Sequence, residues 1–167
     1  MNLTRTVSRS ELVRDVVGLV ARFGLAAVWL ISGYLKAVDP RTTVVAVRGY
    51  QIFPEFLVVP FASVLPYLEI ALGLLLVAGL ATRLTAILSA VVLVAFIAGV
   101  ISAAARGLSI DCGCFGGGGD VAAGQTAYVQ EILRDLGFLA LAGYLIARPD
   151  TPLSIDRLVR RRSGQPA

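Results

Sequence analysis

Four long apolar runs, separated by short polar stretches, dominate the hydrophobic pattern of the chain. They cover residues 16–37, 61–81, 84–105 and 127–147. Each is long enough to cross the roughly 30 Å hydrocarbon layer of a bilayer, which takes about 20 residues of α-helix. Because a membrane helix satisfies its own backbone hydrogen bonds, the pattern predicts an all-α integral membrane protein, built as a bundle of four transmembrane helices.

The connection between the first two runs, residues 38–60, is the longer of two long connections. Pro40 is suited to the first turn of a helix, so we predict a short helix there. Val44, Val45 and Val47 would form its apolar side. We expect this segment to lie on the membrane surface and the chain to re-enter the bilayer at Pro60.

The composition supports a lipid environment. The chain is 57% hydrophobic and 16% charged, and a single domain of 167 residues cannot bury that much apolar surface. The formal net charge is +4, but no basic stripe is interleaved with aromatic residues, as nucleic-acid binding would require. We therefore expect a lipid bilayer, and no nucleic acid, as a partner.

The basic residues between and beside the runs, with Lys36 at the very end of the first run, are unequally divided between the two sides of the predicted bundle. Nine arginines precede the first run, join the second to the third, or follow the fourth, whereas the other side has Lys36, Arg41, Arg48 and Arg106. The positive-inside rule then places both termini in the cytoplasm and both long connections outside. We predict a bacterial plasma-membrane protein with an N-terminal tail (1–15), a membrane domain (16–147) and a basic C-terminal tail (148–167).

The only two cysteines, Cys112 and Cys114, lie in the second outward connection. Two extended residues span about 6.6–7.2 Å, and the Cα atoms of a disulfide are at most roughly 6.8 Å apart. The two sulfurs can therefore bond only if the chain bends at Gly113. A bond across one residue does little for stability, whereas strained, exposed disulfides are readily reduced.

This geometry favours reversible thiol–disulfide exchange, with Cys112 and Cys114 as the catalytic pair. Other uses stay open: permanent bonds to a partner protein, a reduced pair without function, or a zinc site completed by Asp111 and Asp120. Zinc is the least favoured because the chain has no histidine. The glycines at 116–119 lack the signature of a phosphate-binding loop, and we interpret them as a flexible tether for the cysteines.

Ionisable residues inside membrane spans are costly and mark candidate functional positions. Glu69 and Arg134 lie at similar depths, about 10–12 Å from the outer ends of their runs. We predict that they pair, either as a structural ion pair or as a proton path or quinone-headgroup contact. Arg22 lies nearer the other face, where we expect it to extend to the cytoplasm.

Glycine recurs along all four runs, where small residues allow close helix packing. The alternative is that glycine is simply common in membrane helices. The recurring positions are Gly24, Gly33, Gly73, Gly79, Gly99, Gly137 and Gly143.

Four segments together resemble the MauE branch of the DoxX-like membrane proteins. They are FGLAAVWLISGYLKAVDP (23–40), LPYLEIALGLLLVAGLATR (65–83), RGLSIDCGCFG (106–116) and EILRDLGFLALAG (131–143). The resemblance implies a four-helix inner-membrane protein associated with redox chemistry and acting with a thioredoxin-like partner. It also implies that Cys112 and Cys114 are the redox pair, and that Glu69 and Arg134 occupy positions typical of the family.

Other DoxX-like members are subunits of thiosulfate:quinone oxidoreductase. The chain is also broadly similar to membrane disulfide generators of the DsbB and vitamin K epoxide reductase kinds. Those proteins relay electrons through a second cysteine pair, which this chain lacks. The resemblance thus implies an external thiol protein, a bound quinone, or both.

Two functions follow from these expectations. In the first, the cysteine pair exchanges with an extracytoplasmic thioredoxin-fold protein and electrons leave to the membrane, with quinone as the expected cofactor and no metal. In the second, the chain is a non-catalytic accessory subunit of a larger respiratory or envelope membrane complex, and the cysteine loop serves for docking.

Overall fold

The structure is a computed structural model that describes residues 9–114, 116–122 and 126–157. These residues form helices and one very short hairpin. In chain order the elements are α1 (Arg9–Val38), α2 (Pro40–Gly49), α3 (Glu55–Ala78), α4 (Thr82–Ala105), β1 (Ile110–Asp111), β2 (Gly119–Asp120) and α5 (Tyr128–Ala147).

Three of these helices, α1, α3 and α4, are long and apolar enough to cross a membrane. Their outer faces expose large apolar side chains such as Val20, Val64 and Val91. The prediction of a mostly helical membrane protein is thereby confirmed. The fourth predicted span coincides with α5, but three charged residues (Glu131, Arg134 and Asp135) lie close together in it, whereas α1, α3 and α4 each contain a stretch of 18 residues with at most two.

Two helices begin earlier than the apolar runs suggest. α1 starts at Arg9, so the predicted boundary between tail and membrane domain, at residue 16, falls inside a helix. α3 starts at Glu55 and contains both Pro60 and Pro66, so Pro60 does not mark the start of the helix. Each proline removes one backbone donor, a loss that membrane helices tolerate.

Close packing of α1 on α3 depends on glycine at two positions. A β-carbon at Gly33 would lie 2.8 Å from the Pro66 carbonyl oxygen, and one at Gly73 would lie 2.6 Å from Leu30 Cγ. The predicted packing role is confirmed there. At Gly137 and Gly143 no atom of the described residues lies within 4 Å of such a β-carbon, so these two glycines are not packing positions.

The core joins α1, α3, α4 and α5. Its largest member, Trp29, is 1% exposed and donates a hydrogen bond from Nε1 to Ser89 Oγ of α4 (3.0 Å). The Trp29 ring also meets Phe96 edge-on, with 6.4 Å between centroids. An indole that packs and donates in this way fixes how α1 and α4 face each other.

At the end of the bundle that holds the α3–α4 turn, the segment after α5 folds back over α1. Arg22 is fully buried there, and its guanidinium donates to Thr151 Oγ1 (2.7 Å) and to the Leu153 carbonyl oxygen (3.1 Å). The prediction that Arg22 extends to the cytoplasm is wrong, because this segment supplies acceptors inside the protein. The basic cluster at residues 160–162 lies outside the described residues.

At the opposite end, α2 and the hairpin cover the bundle. Asp39 begins α2 by accepting hydrogen bonds from the Thr42 backbone N–H (3.1 Å) and hydroxyl (2.6 Å), with Pro40 in the first turn. The short helix is thus confirmed. Its buried side differs from the predicted valine side: it consists of Thr43, Ala46 and Val47, the spacing of one helical face, whereas Val45 is exposed.

Candidate redox site

Both cysteines lie in the hairpin that joins β1 to β2, and both are free thiols. Each is 8% exposed and packs in a cluster with Val100 of α4. Gly113 between them has a φ of +67°, a left-handed conformation that glycine adopts without steric cost. The predicted bend at Gly113 is confirmed.

The glycine run is not a flexible tether. A β-carbon at Gly118 would lie 2.5 Å from Ala46 Cβ, and one at Gly119 would lie 2.6 Å from Val45 Cγ1. Residues 116–119 all have positive φ. The interpretation as a flexible tether is wrong because Gly118 and Gly119 allow the hairpin to lie directly on α2, where a side chain at either position would collide with the helix.

Lys36 connects the cysteine hairpin to two helices. Its ammonium group donates to Ser32 Oγ (2.5 Å), to Glu69 Oε2 (3.1 Å) and to the Cys114 carbonyl oxygen (3.1 Å). The Ser32 hydroxyl donates to the same carbonyl oxygen (2.7 Å). All three donors of the ammonium are used, and the backbone at Cys114 is held against the end of α1.

The predicted pair of Glu69 with Arg134 is wrong. Glu69 is fully buried and its ion pair is with Lys36. Arg134 instead pairs with the adjacent Asp135 (3.1 Å) and directs Nη2 to the Cys112 sulfur (3.8 Å). Equal depth in two helices does not determine which way their side chains point, and Lys36 reaches Glu69 from the end of α1.

Several polar residues of the site were not predicted. Lys36 was counted as an outward surface charge, although it is the only lysine in the chain and follows Ser32 by one helical turn. Glu131 precedes Asp135 by one helical turn, and both are buried. In each pair, the spacing of one turn between two polar residues indicates a shared polar face of the helix.

Two carboxylates lie beside the Cys112 sulfur. Ligand atoms of Asp111, Cys112 and Glu131 all lie within 4.8 Å of one another, a grouping that could hold a metal ion. Asp120, considered above as a zinc ligand, is exposed on β2 and is not part of the group. The guanidinium of Arg134 at the same sulfur repels a cation, whereas burial and the Glu131 carboxylate oppose ionisation of the thiol.

The two thiols have opposite acidities. The pKa of Cys112 is lowered by a hydrogen bond from the Cys114 side chain, with further contributions from the Cys114 backbone and from Arg134. The Cys114 N–H lies 3.3 Å from the Cys112 sulfur. The pKa of Cys114 is raised by its hydrogen bond to Cys112 and by burial. Cys112 is therefore the thiol that ionises first.

A largely apolar cavity of about 420 Å³ adjoins the pair. Both cysteines line one part of its wall, and the rest comes from α1, α2, α3, α4 and the loop after α2. The site thus combines an ionisable thiol, a second thiol one residue away and an apolar space.

One of three comparisons with known proteins found a match. The family model described as "Methylamine utilisation protein MauE" matches residues 14–148. The chain belongs to the MauE family. In this MauE-family protein the matched region contains most of α1, all of α2 to α5 and the cysteine hairpin. Neither the curated proteins nor the solved structures contain a match. The wider DoxX likeness stays a prediction.

Proposed function

We propose that this MauE-family membrane protein exchanges thiol and disulfide equivalents through Cys112 and Cys114, between an extracytoplasmic thioredoxin-fold protein and an oxidant in the membrane. We include in this proposal that the chain takes part in methylamine utilisation, as the description of the family states. One observation carries it: Arg134 Nη2 and the Cys114 N–H both point to the Cys112 sulfur, 3.8 Å and 3.3 Å away.

The exchange balances in two steps. In the first, a partner dithiol attacks the Cys112–Cys114 disulfide through a mixed disulfide, so that the partner is oxidised and the pair becomes two thiols. In the second, the two thiols lose two electrons and two protons to a quinone, which becomes a quinol, and the Cys112–Cys114 bond re-forms. A second cysteine pair is not needed to relay the electrons if the quinone reaches Cys112 and Cys114 directly.

The proposal assigns opposite roles to the two sulfurs. The mixed disulfide joins the partner to Cys112, because Cys112 is the attacking thiolate when the same step runs in reverse. The partner's second thiol then completes the oxidation, whereas in the reverse direction Cys114 resolves the mixed disulfide, since its backbone is anchored by Ser32 and Lys36 at 2.7 Å and 3.1 Å. The bend at Gly113 places the Cys114 backbone N–H 3.3 Å from the Cys112 sulfur.

We further propose that α5 is a fourth membrane span, with both termini in the cytoplasm. At 20 residues it is about 30 Å long, enough for the hydrocarbon layer. Its exposed side is apolar at Val129, Leu133 and Leu136. Its carboxylates are buried beneath the hairpin, with Glu131 6% and Asp135 3% exposed, so the helix presents few charges to lipid.

The burial of both cysteines favours a second candidate. A sulfur that is 8% exposed is poorly accessible to a protein thiol unless the hairpin lifts from α2. If it never lifts, the chain would be a non-catalytic accessory subunit of a larger respiratory or envelope complex. The hairpin would then be only a part of the fold.

Trapping distinguishes the two candidates. In Cys114→Ser cells, Cys112 has no resolving partner, and we expect a reductant-sensitive mixed disulfide with an extracytoplasmic thioredoxin-fold protein. Cys112→Ser is the matched control and should trap far less. An absence of any adduct, together with normal assembly and growth of the Cys112→Ser/Cys114→Ser strain, would favour the accessory subunit.

A further inference from the structure

The cavity beside the cysteines has the properties of a small-molecule site. Its volume of about 420 Å³ lies within the range of ligand pockets, roughly 300–1,000 Å³. Aromatic rings from three elements line it, namely Tyr50 at the end of α2, Phe61 of α3 and Phe96 of α4. An occupant of this space must be apolar and is best matched by a flat ring.

The cavity has exposed wall residues on two membrane helices and also on the loop after α2, where Ile52 is 50% exposed. Of its wall residues, Phe61 on α3 is 39% exposed, and Ala95 and Ala98 on α4 are exposed. The two alanines lie roughly 10–15 Å from the end of α4 that faces the hairpin. Outward positions at that depth of a spanning helix face lipid, so this side of the cavity is accessible from the hydrocarbon layer.

The chemistry of the wall limits the occupant further. Cys112 and Cys114 are the oxidisable groups on it, and closing their disulfide releases two electrons and two protons. Burial raises the pKa of Tyr50, so its hydroxyl stays a hydrogen-bond donor. That hydroxyl makes only a long hydrogen bond to the Cys112 carbonyl oxygen, at 3.4 Å, and is a suitable donor for a ligand oxygen.

We infer that this cavity binds the ring of a membrane quinone, which enters between α3 and α4 and oxidises the Cys112–Cys114 pair. The two S–H bonds break, the S–S bond forms, and the two quinone oxygens each gain a hydrogen to give the quinol. The inference rests on the proposed function and gives its electron acceptor a binding site. The sequence predicts a quinone contact at Glu69 and Arg134, but neither residue lines this cavity. The inference therefore places the quinone at the cavity wall instead.

Blocking the mouth of the cavity tests the inference. Ala98→Trp places an indole at the exposed opening, and Val94→Trp, on the exposed face of α4 outside the cavity lining, is the matched control. Full-length proteins in lipid nanodiscs are reduced with a dithiol, freed of reductant and mixed with a short-chain ubiquinone. Quinol formation and thiol loss are then followed together.

We expect wild type and Val94→Trp to reduce the quinone in step with disulfide formation. Ala98→Trp should fall to the rate of Cys112→Ser, while its thiol pair still exchanges with a soluble disulfide. Quinone reduction by Ala98→Trp at the wild-type rate would overturn the cavity site. So would a wild-type pair that exchanges with soluble disulfides but is not oxidised by quinone. A pair that exchanges with neither would overturn the proposed function itself.

Discussion

The guanidinium of Arg134 lies 3.8 Å from the sulfur of Cys112, on the side of the hairpin that faces α5. Asp135, the next residue, holds the same guanidinium at 3.1 Å. A cation fixed beside one of two neighbouring thiols makes the pair chemically unequal, because it favours the thiolate of Cys112 over that of Cys114.

Replacing Arg134 by Gln should raise the pKa of Cys112, because it removes a cation that favours the thiolate. Alkylation requires the thiolate, so the rate of Cys112 modification in the reduced protein should rise at higher pH than in wild type. Residue-resolved mass spectrometry after timed alkylation measures this rate. Arg148→Gln removes a charge at the far end of α5 and should leave the profile unchanged. An unaltered profile in Arg134→Gln would mean that Arg134 does not act on the thiol.

In wild type, the same alkylation series should modify Cys112 at lower pH than Cys114. The pKa of Cys112 is lowered and that of Cys114 is raised, so Cys112 becomes reactive first as the pH increases. Equal rates at both sulfurs over the whole range would contradict the assignment of Cys112 as the attacking thiol.

The buried ion pair of Lys36 with Glu69 predicts strong coupling. Glu69→Gln or Lys36→Met alone leaves one charge buried without its partner, which should cost about 3–5 kcal/mol of unfolding free energy. The double variant Lys36→Met/Glu69→Gln should recover much of that loss, because it leaves no unpaired charge. Unfolding of the purified protein in mixed micelles gives the coupling from a double-mutant cycle.

The cycle of Glu69 with Arg134 is the matched control for that measurement. Because Arg134 contacts Asp135 and Cys112 instead, the effects of Glu69→Gln and Arg134→Gln should add. A larger coupling energy between Glu69 and Arg134 than between Glu69 and Lys36 would show that Glu69 pairs with Arg134, as helix depth alone predicts.

The site shows where sequence reasoning succeeds and fails. The apolar runs determine where the helices lie because every membrane helix must be long and apolar, and Pro40 with Asp39 marks the start of α2. The partner of Glu69 depends on how each helix is rotated about its axis, and the depth of a residue along the helix gives no information on that rotation. The sequence therefore predicts Lys36, near the end of α1, as a surface charge, although it is buried in the ion pair with Glu69.

The prediction for the glycines at 116–119 fails for another reason. Consecutive glycines have the same composition in a flexible linker as in a tight hairpin. The difference lies in what they touch, and residues 113 and 118 touch Ala46 of α2, a contact distant in sequence. The bend at Gly113 was predictable because it follows from the length of the chain between two sulfurs.

The packed hairpin predicts different outcomes at two glycines of positive φ. Gly118→Ala should destabilise the hairpin, because its β-carbon would lie 2.5 Å from that of Ala46, whereas no described atom lies within 4 Å at Gly116. Both changes carry backbone strain of about 1–3 kcal/mol, so Gly116→Ala is the matched control. Limited proteolysis should cleave the hairpin only in Gly118→Ala, and adding Ala46→Gly should restore protection. Equal cleavage of both variants would return the glycines to the role of a tether.

The proposed orientation predicts which end of the bundle is accessible from outside the cell. In a Cys112→Ser/Cys114→Ser background, Asp120→Cys on β2 and Leu153→Cys after α5 both place a thiol at an exposed position. A membrane-impermeant maleimide should label Asp120→Cys in intact cells and Leu153→Cys only after permeabilisation. The reverse pattern would put the cysteine hairpin in the cytoplasm, where lasting disulfides are rare.

The most direct test of the central claim is a redox titration of the purified full-length protein in lipid nanodiscs. After equilibration in dithiol buffers of graded potential, free thiols are alkylated and the intact mass is measured. The account predicts one reversible transition in which Cys112 and Cys114 are lost to alkylation together, as their disulfide forms, without a partner. Two thiols that stay free at every potential, or that are oxidised one at a time, would contradict it.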